Sequence, residues 1–317
     1  MHVTRADSSG ARPLADDDVA SVPDPPPRVV ARESAVRTTE ARHDETLARF
    51  VAARTPAGDG IVYVGMNGAG HQCDAEARLL ATRGRGPNVA ITHGERDPEL
   101  GADHLRLESG FVVDLGTPAG VDAFVEELAL APDVAAAISG VLLMAAAGSR
   151  DELAGLARVF AAGERGGAVP SRLVISGHSI GDGVYDGDGR LGWLQFADIF
   201  ALARAMPRAA GAVHDVMLSA CNSGHRAGES AFRVGIEAWG EAFPNLRTVW
   251  AYAGPTDGHS PTGTVALVHL AAWEAETRRH PEHLSPSRAI ARENGGHAAG
   301  YERNVVVWER RRAPPAP

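Results

Sequence analysis

The sequence predicts an α/β fold, a three-layer α/β/α sandwich around a mostly parallel sheet. Short runs of β-forming apolar residues alternate along the chain with longer segments of helical periodicity. Several of these helical segments begin with a clear capping signal. Strands that alternate with helices of this length pair in parallel, because each helix carries the chain back across one face of the sheet.

The predicted strands are short apolar runs that end at glycine or at turn residues. They cover residues 61–64, 89–91, 173–176, 215–220, 247–252 and 304–308. Between the second and third of them, residues 105–115 predict a hairpin that turns at Ser109 and Gly110.

The predicted helices cover residues 74–81, 117–128, 149–163, 195–206 and 264–278. The second begins with a cap residue, Thr117, followed by Pro118 at the first helical position. Its apolar face contains Val121, Phe124, Val125 and Leu128. The third begins with a capping box between Ser149 and Glu152, and it is expected to bury Leu153, Leu156, Val159 and Phe160.

The chain divides into one folded domain with a loose segment on either side. Residues 1–48 are rich in Pro, Asp, Arg and Ala and predict a disordered arm, whereas residues 58–310 carry the strand and helix pattern. Residues 311–317 predict a flexible tail. One domain of this size is long enough to bury a substantial core.

Composition excludes several classes of protein. The net charge of -9 argues against a nucleic-acid groove, so no nucleic-acid partner is expected. The first residues lack the apolar core of a signal peptide, and the apolar stretch 141–147 is too short to span a bilayer. Two cysteines make no disulfide framework, although a bridge between Cys73 and Cys221 remains an alternative. We expect a cytoplasmic protein without a membrane partner.

Two segments carry reactive side chains at the ends of predicted strands. One strand runs from Leu173 to Ser176 and is followed by Gly177 and His178. Another begins at Asp215 and leads to Cys221, with a glycine three residues later. Functional residues of open parallel sheets lie just beyond the carboxyl ends of strands. The pattern therefore predicts that His178 and Cys221 meet at one edge of the sheet.

A cysteine beside a histidine is the arrangement of a nucleophilic dyad. The thiolate of Cys221 would attack, and His178 would take its proton and later protonate the leaving amine. The backbone N–H groups of Ser179 and Cys221 are placed to form an oxyanion hole. The alternative is a buried thiol that packs without reacting, next to a structural histidine.

These two segments resemble the caspase-like superfamily of cysteine peptidases. Metacaspases resemble the chain at Ser176-Gly177-His178 and at Cys221-Asn222-Ser223-Gly224, and bacterial CHAT-type domains at residues 218–221. Caspases have a glycine-rich hairpin where this chain has residues 183–189, and their separation of about 50 between histidine and cysteine is close to the 43 seen here. The resemblance implies a caspase-like fold and a bacterial peptidase that acts on a protein or peptide substrate.

The chain departs from this family at two positions. Ser179 follows the catalytic histidine, where the family has glycine. Ser219 stands where metacaspases place an aspartate that binds a basic side chain, which puts cleavage after Arg or Lys in doubt. The substrate-binding candidates near the expected pocket are Asp182, Ser219, Asn222, Tyr252 and Asp257. The aspartates among them are more typical of turns than of a substrate pocket.

Competing motifs give three further hypotheses. Residues 177–181 match the G-x-S-x-G nucleophile elbow of serine esterases, but the glycine-rich residues that follow predict a hairpin instead of the required helix. Asp186 and Asp188 form a fragment of a calcium loop, so calcium activation is an alternative to an expected absence of any cofactor or metal. A second set, His71, Cys73 and His93, is interpreted as loop residues near the sheet edge.

The sequence thus predicts a cysteine endopeptidase that uses a Cys221–His178 dyad. The alternatives are a catalytically inactive caspase-like scaffold used for binding, motivated by Ser179, and a serine esterase that uses the same serine as nucleophile. The oligomeric state does not follow from the sequence.

Overall fold

The computed structural model describes residues 58–66, 76–77, 80, 88–92, 100–185, 192–229, 233–256, 264–278, 288–290 and 304–310. The terminal segments 1–48 and 311–317 lie outside the described residues. A six-stranded sheet occupies the centre of the fold. Its strands are β1 (Gly58–Gly65), β2 (Val89–Thr92), β5 (Pro170–Ser176), β8 (Asp215–Ser219), β9 (Thr248–Tyr252) and β10 (Val305–Glu309).

The strand order is β10-β9-β8-β5-β1-β2, and only the β9–β10 pair is antiparallel. Two small antiparallel hairpins flank this sheet: β3 (His104–Arg106) with β4 (Val112–Asp114), and β6 (Gly183–Tyr185) with β7 (Trp193–Gln195). β5 is buried at six of its seven positions and β8 along its whole length, as expected for central strands with both faces covered.

Helices cover both faces of the sheet. The labelled helices are α1 (Pro118–Glu127), α2 (Pro132–Met144), α3 (Arg150–Glu164), α4 (Phe196–Ala205), α5 (Pro207–Ala212), α6 (Ala238–Ala242) and α7 (Thr264–Arg278). One face of the central strands, including Leu173 and Leu218, packs in the larger core with α1 to α6. The other face packs with Leu270 and Trp273 of α7. The predicted three-layer α/β/α sandwich with a mostly parallel sheet is confirmed.

Most predicted elements are present within one or two residues of their expected bounds. Thr117 caps α1 as expected, because its hydroxyl accepts the Gly120 N–H at 3.1 Å. The hairpin over residues 105–115 is confirmed by β3 and β4. Of the helix predicted at 74–81, the described residues Glu76, Ala77 and Leu80 are helical. The helix α2 was not predicted, since its Ala-rich sequence has a weak apolar face.

The capping box predicted at Ser149 is wrong. Helix α3 does begin directly after this residue, but the Ser149 hydroxyl donates to the Ala146 and Trp193 carbonyls and does not cap the helix. The first turn is instead held by Asp103, whose carboxylate accepts the N–H groups of Gly148 at 2.8 Å and Arg150 at 3.0 Å. A residue 47 positions earlier in sequence therefore does the capping, which no local motif can show.

Candidate active site

The register of the sheet places the two reactive side chains at the same level. Ser176 at the end of β5 pairs with Ser219 at the end of β8. His178 and Cys221 each follow their strand-end serine by two residues. Neighbouring strands lie about 4.8 Å apart. The register therefore brings His178 and Cys221 to the same edge of the sheet on adjacent strands, as the sequence predicted.

The loops that carry these residues touch each other. Gly181, three residues after His178, has a φ of +118°, and a Cβ there would lie 3.1 Å from the Asn222 carbonyl oxygen. The same Cβ would lie 2.7 Å from Cγ of Arg233, and the Val234 N–H donates to the Gly181 carbonyl at 3.1 Å. Glycine is required at 181, because any side chain would push the two loops apart.

Cys221 is half-buried and makes no disulfide, so a bridge to Cys73 is not formed. Its sulfur accepts the Thr256 N–H at 3.2 Å, and the Thr256 carbonyl oxygen lies 3.9 Å away. The neighbouring Asn222 adopts a φ of +55°, a conformation that asparagine tolerates better than most residues, and its N–H donates to the Gly254 carbonyl. The loop after β9 therefore fixes the direction in which the thiol points.

His178 pairs with the small β6–β7 hairpin. We call the side of this hairpin that points away from the core its open face. The His178 backbone exchanges two hydrogen bonds with Tyr185, at 3.0 and 2.9 Å, and their rings lie 5.7 Å apart. Along the hairpin Val184 and Leu194 are buried in the core, so Tyr185 and its partner Trp193 project to the opposite side. The half-buried imidazole is thus anchored by the hairpin that follows it.

The N–H groups of Ser179 and Cys221 donate to no backbone carbonyl in the described part of the chain, and neither do those of the adjacent Ile180 and Ser223. Most backbone N–H groups in proteins are paired. The Ser179 side chain turns inward, is 5% exposed, and accepts the Gly181 N–H at 2.9 Å. In this loop Gly181, and not residue 179, takes the left-handed conformation. The oxyanion role of the Ser179 and Cys221 N–H groups stays a prediction.

A buried carboxylate contacts the end of β8, two residues before Cys221. Glu76 has no exposed surface, and its two oxygens accept hydrogen bonds from Tyr63 at 2.7 Å and from Ser219 at 3.0 Å. Sequence reasoning missed Glu76. The available signal was its position four residues before Leu80, which places a glutamate on the apolar side of a predicted helix. Ser219, a substrate-binding candidate, is itself buried and donates its hydroxyl to this carboxylate.

Tyr252 forms a second buried pair, with His269 of α7. Its hydroxyl lies 2.6 Å from Nδ1 of His269, and the two rings stack at 5.6 Å. Burial raises the pKa of Tyr252 well above its ordinary value, and Coulombic interactions with the nearby Glu76 and Cys221 side chains raise this pKa further. Burial lowers the pKa of His269 to about 4. His269 is therefore neutral at pH 7, and Tyr252 donates to it.

The remaining substrate-binding candidates occupy different positions. Asp182 lies in the loop after His178, and burial raises the pKa of its carboxyl, while its own backbone hydrogen bond opposes this shift. Among the described residues, its Oδ1 atom has no hydrogen-bond partner. Asn222 lies at the loop contact described above, whereas Asp257 lies outside the described residues.

The structure bears on only some of the other hypotheses. The residues after Ser179 lead into strand β6, so the helix that a nucleophile elbow needs is absent, as the sequence predicted. His71, Cys73, His93, Asp186 and Asp188 lie outside the described residues. Within the described ranges, no group of three or more His, Cys, Asp or Glu side chains could hold a metal ion. In the same ranges, no helix has the length and apolar character needed to cross a membrane.

Comparison with known proteins gives a distant structural likeness. No family model matches the chain, and no curated protein matches its sequence. Among solved structures, the chain is similar to a secreted C11 cysteine protease from Bacteroides thetaiotaomicron, determined by X-ray crystallography with an irreversible peptide inhibitor. The TM-score is 0.33 at 12% identity, and the match covers 74% of this chain and 57% of that chain. A likeness of this size assigns no family and no activity.

Proposed function

We propose that this chain is a cysteine endopeptidase that hydrolyses peptide bonds of a protein substrate with Cys221 and His178. The observation that carries the proposal is the register between β5 and β8, which brings a thiol and an imidazole to the same sheet edge. Nucleophile and base at the ends of neighbouring strands are the arrangement that thiol catalysis needs.

The reaction follows from these positions. His178 takes the proton of the Cys221 thiol, and the sulfur attacks the carbonyl carbon of the scissile bond. The tetrahedral oxyanion accepts hydrogen bonds from the Ser179 and Cys221 N–H groups, which donate to no backbone carbonyl among the described residues. His178 then gives its proton to the leaving amine, and a thioester to Cys221 remains. Water, deprotonated by His178, releases the acyl product and restores the thiol.

Ser179 does not argue against activity. Serine still offers a backbone N–H for the oxyanion hole, and Gly181 supplies a left-handed conformation two residues later. This supports an active enzyme over an inactive scaffold. The metacaspase preference for basic side chains is not carried over, because Ser219 is engaged by Glu76.

The test is cleavage of a combinatorial library of internally quenched peptides by the purified chain. We expect Cys221→Ala and His178→Ala each to lower kcat/KM by at least about 10³-fold. Cys73→Ala is the matched control, since it removes the chain's other cysteine and should leave cleavage unchanged. Cleavage that survives in Cys221→Ala would contradict the proposal, and a wild-type protein without cleavage would favour the binding scaffold.

A further inference from the structure

The open face of the β6–β7 hairpin continues away from His178 as an aromatic surface. His178 pairs with Tyr185, and Tyr185 pairs with Trp193 on the next strand. Residues that face each other across antiparallel strands project to the same side. The three rings therefore form one row, which we call the aromatic row, running outward from the candidate catalytic histidine.

The row is partly exposed, since His178 and Tyr185 are half-buried and Trp193 is exposed, and Trp193 is well fixed. Trp193 is 37% exposed, and its indole lies over the backbone of Gly183, where an added Cβ would come within 2.7 Å of Nε1. The Trp193 carbonyl accepts a hydrogen bond from Ser149 at 3.2 Å. Ile180, two residues after His178, is 53% exposed. An anchored and partly exposed tryptophan is typical of sites that bind apolar groups.

The chemistry of the row selects one kind of ligand. His178, Tyr185, Trp193 and the neighbouring Gln195 carry no permanent charge, so these residues offer no ion-pair partner to a charged side chain. Aromatic rings instead bury apolar surface and stack with other rings. A large apolar or aromatic side chain therefore fits this surface best.

The position of the aromatic row determines which part of a bound substrate contacts it. Gly177 and Gly192 both pack against Met66, which follows β1, and β1 lies on the side of β5 opposite to β8. Cys221 follows β8, so the row extends from His178 away from the nucleophile. In the proposed reaction His178 protonates the leaving amine, and the segment that begins with this amine must lie on the His178 side.

We propose that the aromatic row binds a large apolar or aromatic side chain within the first two residues after the cleaved bond. This inference rests on the proposed function for the direction of the peptide. It makes Trp193 a specificity-determining residue for the leaving segment, which no motif in the sequence indicates.

The first experiment varies those two residues in the quenched peptide library and compares Phe and Leu with Ala and Asp. Wild type should cleave the Phe and Leu peptides about tenfold faster in kcat/KM. Trp193→Ala should lose this preference, and Trp193→Phe should keep most of it. Phe111→Ala is the control, because Phe111 is also exposed, at 74%, but lies beside β4 on the other hairpin. Efficient cleavage without any preference would overturn the inference and leave the peptidase intact.

A binding experiment separates the two proposals if no cleavage occurs. Fluorescently labelled pentapeptides that begin with Phe or with Asp are titrated into Cys221→Ala, and binding is read from fluorescence anisotropy. The Phe peptide should bind at least about fivefold more tightly, and adding Trp193→Ala should abolish the difference. Equal binding of the two peptides would overturn the inference, whatever the library shows about catalysis.

Discussion

The hydroxyl of Ser219 donates a 3.0 Å hydrogen bond to the carboxylate of Glu76, a residue 143 positions earlier in the chain. Both residues are buried, and Tyr63 donates to the other carboxylate oxygen. An aspartate at 219 would place two carboxylates side by side in this site, where both could not stay ionised. A serine at 219 therefore suits the buried Glu76 carboxylate, whereas an aspartate would not.

Removing this hydroxyl should destabilise the fold. Ser219→Ala leaves a buried carboxylate with one donor fewer, and a hydrogen bond to a charged group contributes about 1.5–3 kcal/mol. We expect the free energy of unfolding, measured with urea, to fall by that amount. Ser176→Ala is the matched control on the paired strand, because its hydroxyl makes only a 3.5 Å contact with the Ser219 carbonyl. Equal losses in the two variants would show that the Glu76 contact is not stabilising.

Gly181 links the spacing of the two active-site loops to catalysis. Gly181→Ala places a Cβ against Arg233 and the Asn222 carbonyl, so the His178 loop must move relative to the Cys221 loop. We expect kcat/KM to fall by about 10²-fold, since displacements near 1 Å have effects of this size. Gly110→Ala has a similar positive φ of +89° but open space around it. Gly110→Ala should therefore lower the free energy of unfolding by about 1 kcal/mol, as Gly181→Ala does, but leave kcat/KM unchanged. An unchanged kcat/KM in Gly181→Ala would contradict the expected loop contact.

His269 should make stability depend on pH. Its pKa falls from 6.5 to about 4 in the folded protein, so the unfolded chain binds more protons between these values. Stability is then full above about pH 6.5 and falls as the pH drops towards 4, by about 1.4 kcal/mol per pH unit. His269→Gln retains an acceptor for Tyr252 without titrating, and should flatten this part of the profile in urea unfolding. An unchanged profile in His269→Gln would refute the assignment.

Asp103 should be the residue that holds the start of α3. It accepts two backbone N–H groups and pairs with the Arg150 guanidinium at 3.3 Å. We expect Asp103→Ala to lower the thermal midpoint and to cost about 2 kcal/mol, the upper end for loss of a cap. Asp133→Ala, in the exposed first turn of α2 where no side-chain cap forms, should cost less than about 0.5 kcal/mol. Similar costs at both positions would mean that Asp103 does not cap the helix.

The sequence could predict which residues lie at the carboxyl edge of the sheet, because the strand and turn signals that place them are local. The apolar runs that form β5 and β8 stop at glycine or serine, and a parallel sheet aligns such endings without further information. Thr117 before Pro118 likewise predicted the start of α1 from adjacent residues. The placement of His178 and Cys221 on neighbouring strands followed from these elements.

The contacts that complete the site could not be predicted in this way. Glu76 and Thr256 reach it from segments far from Ser219 and Cys221 in sequence, and these partners become neighbours only when the sheet assembles. The same reason explains why Asp103 takes the capping role expected of Ser149, since tertiary contacts override a local motif.

The most direct test of the central claim is to map the site of reaction with a peptidyl acyloxymethyl ketone by mass spectrometry. The account predicts that the reagent modifies Cys221 of the native protein and not Cys73, that modification fails in His178→Ala, and that iodoacetamide in urea labels both cysteines equally. Native protein modified at both cysteines alike, or at Cys221 with the same rate in His178→Ala, would contradict it.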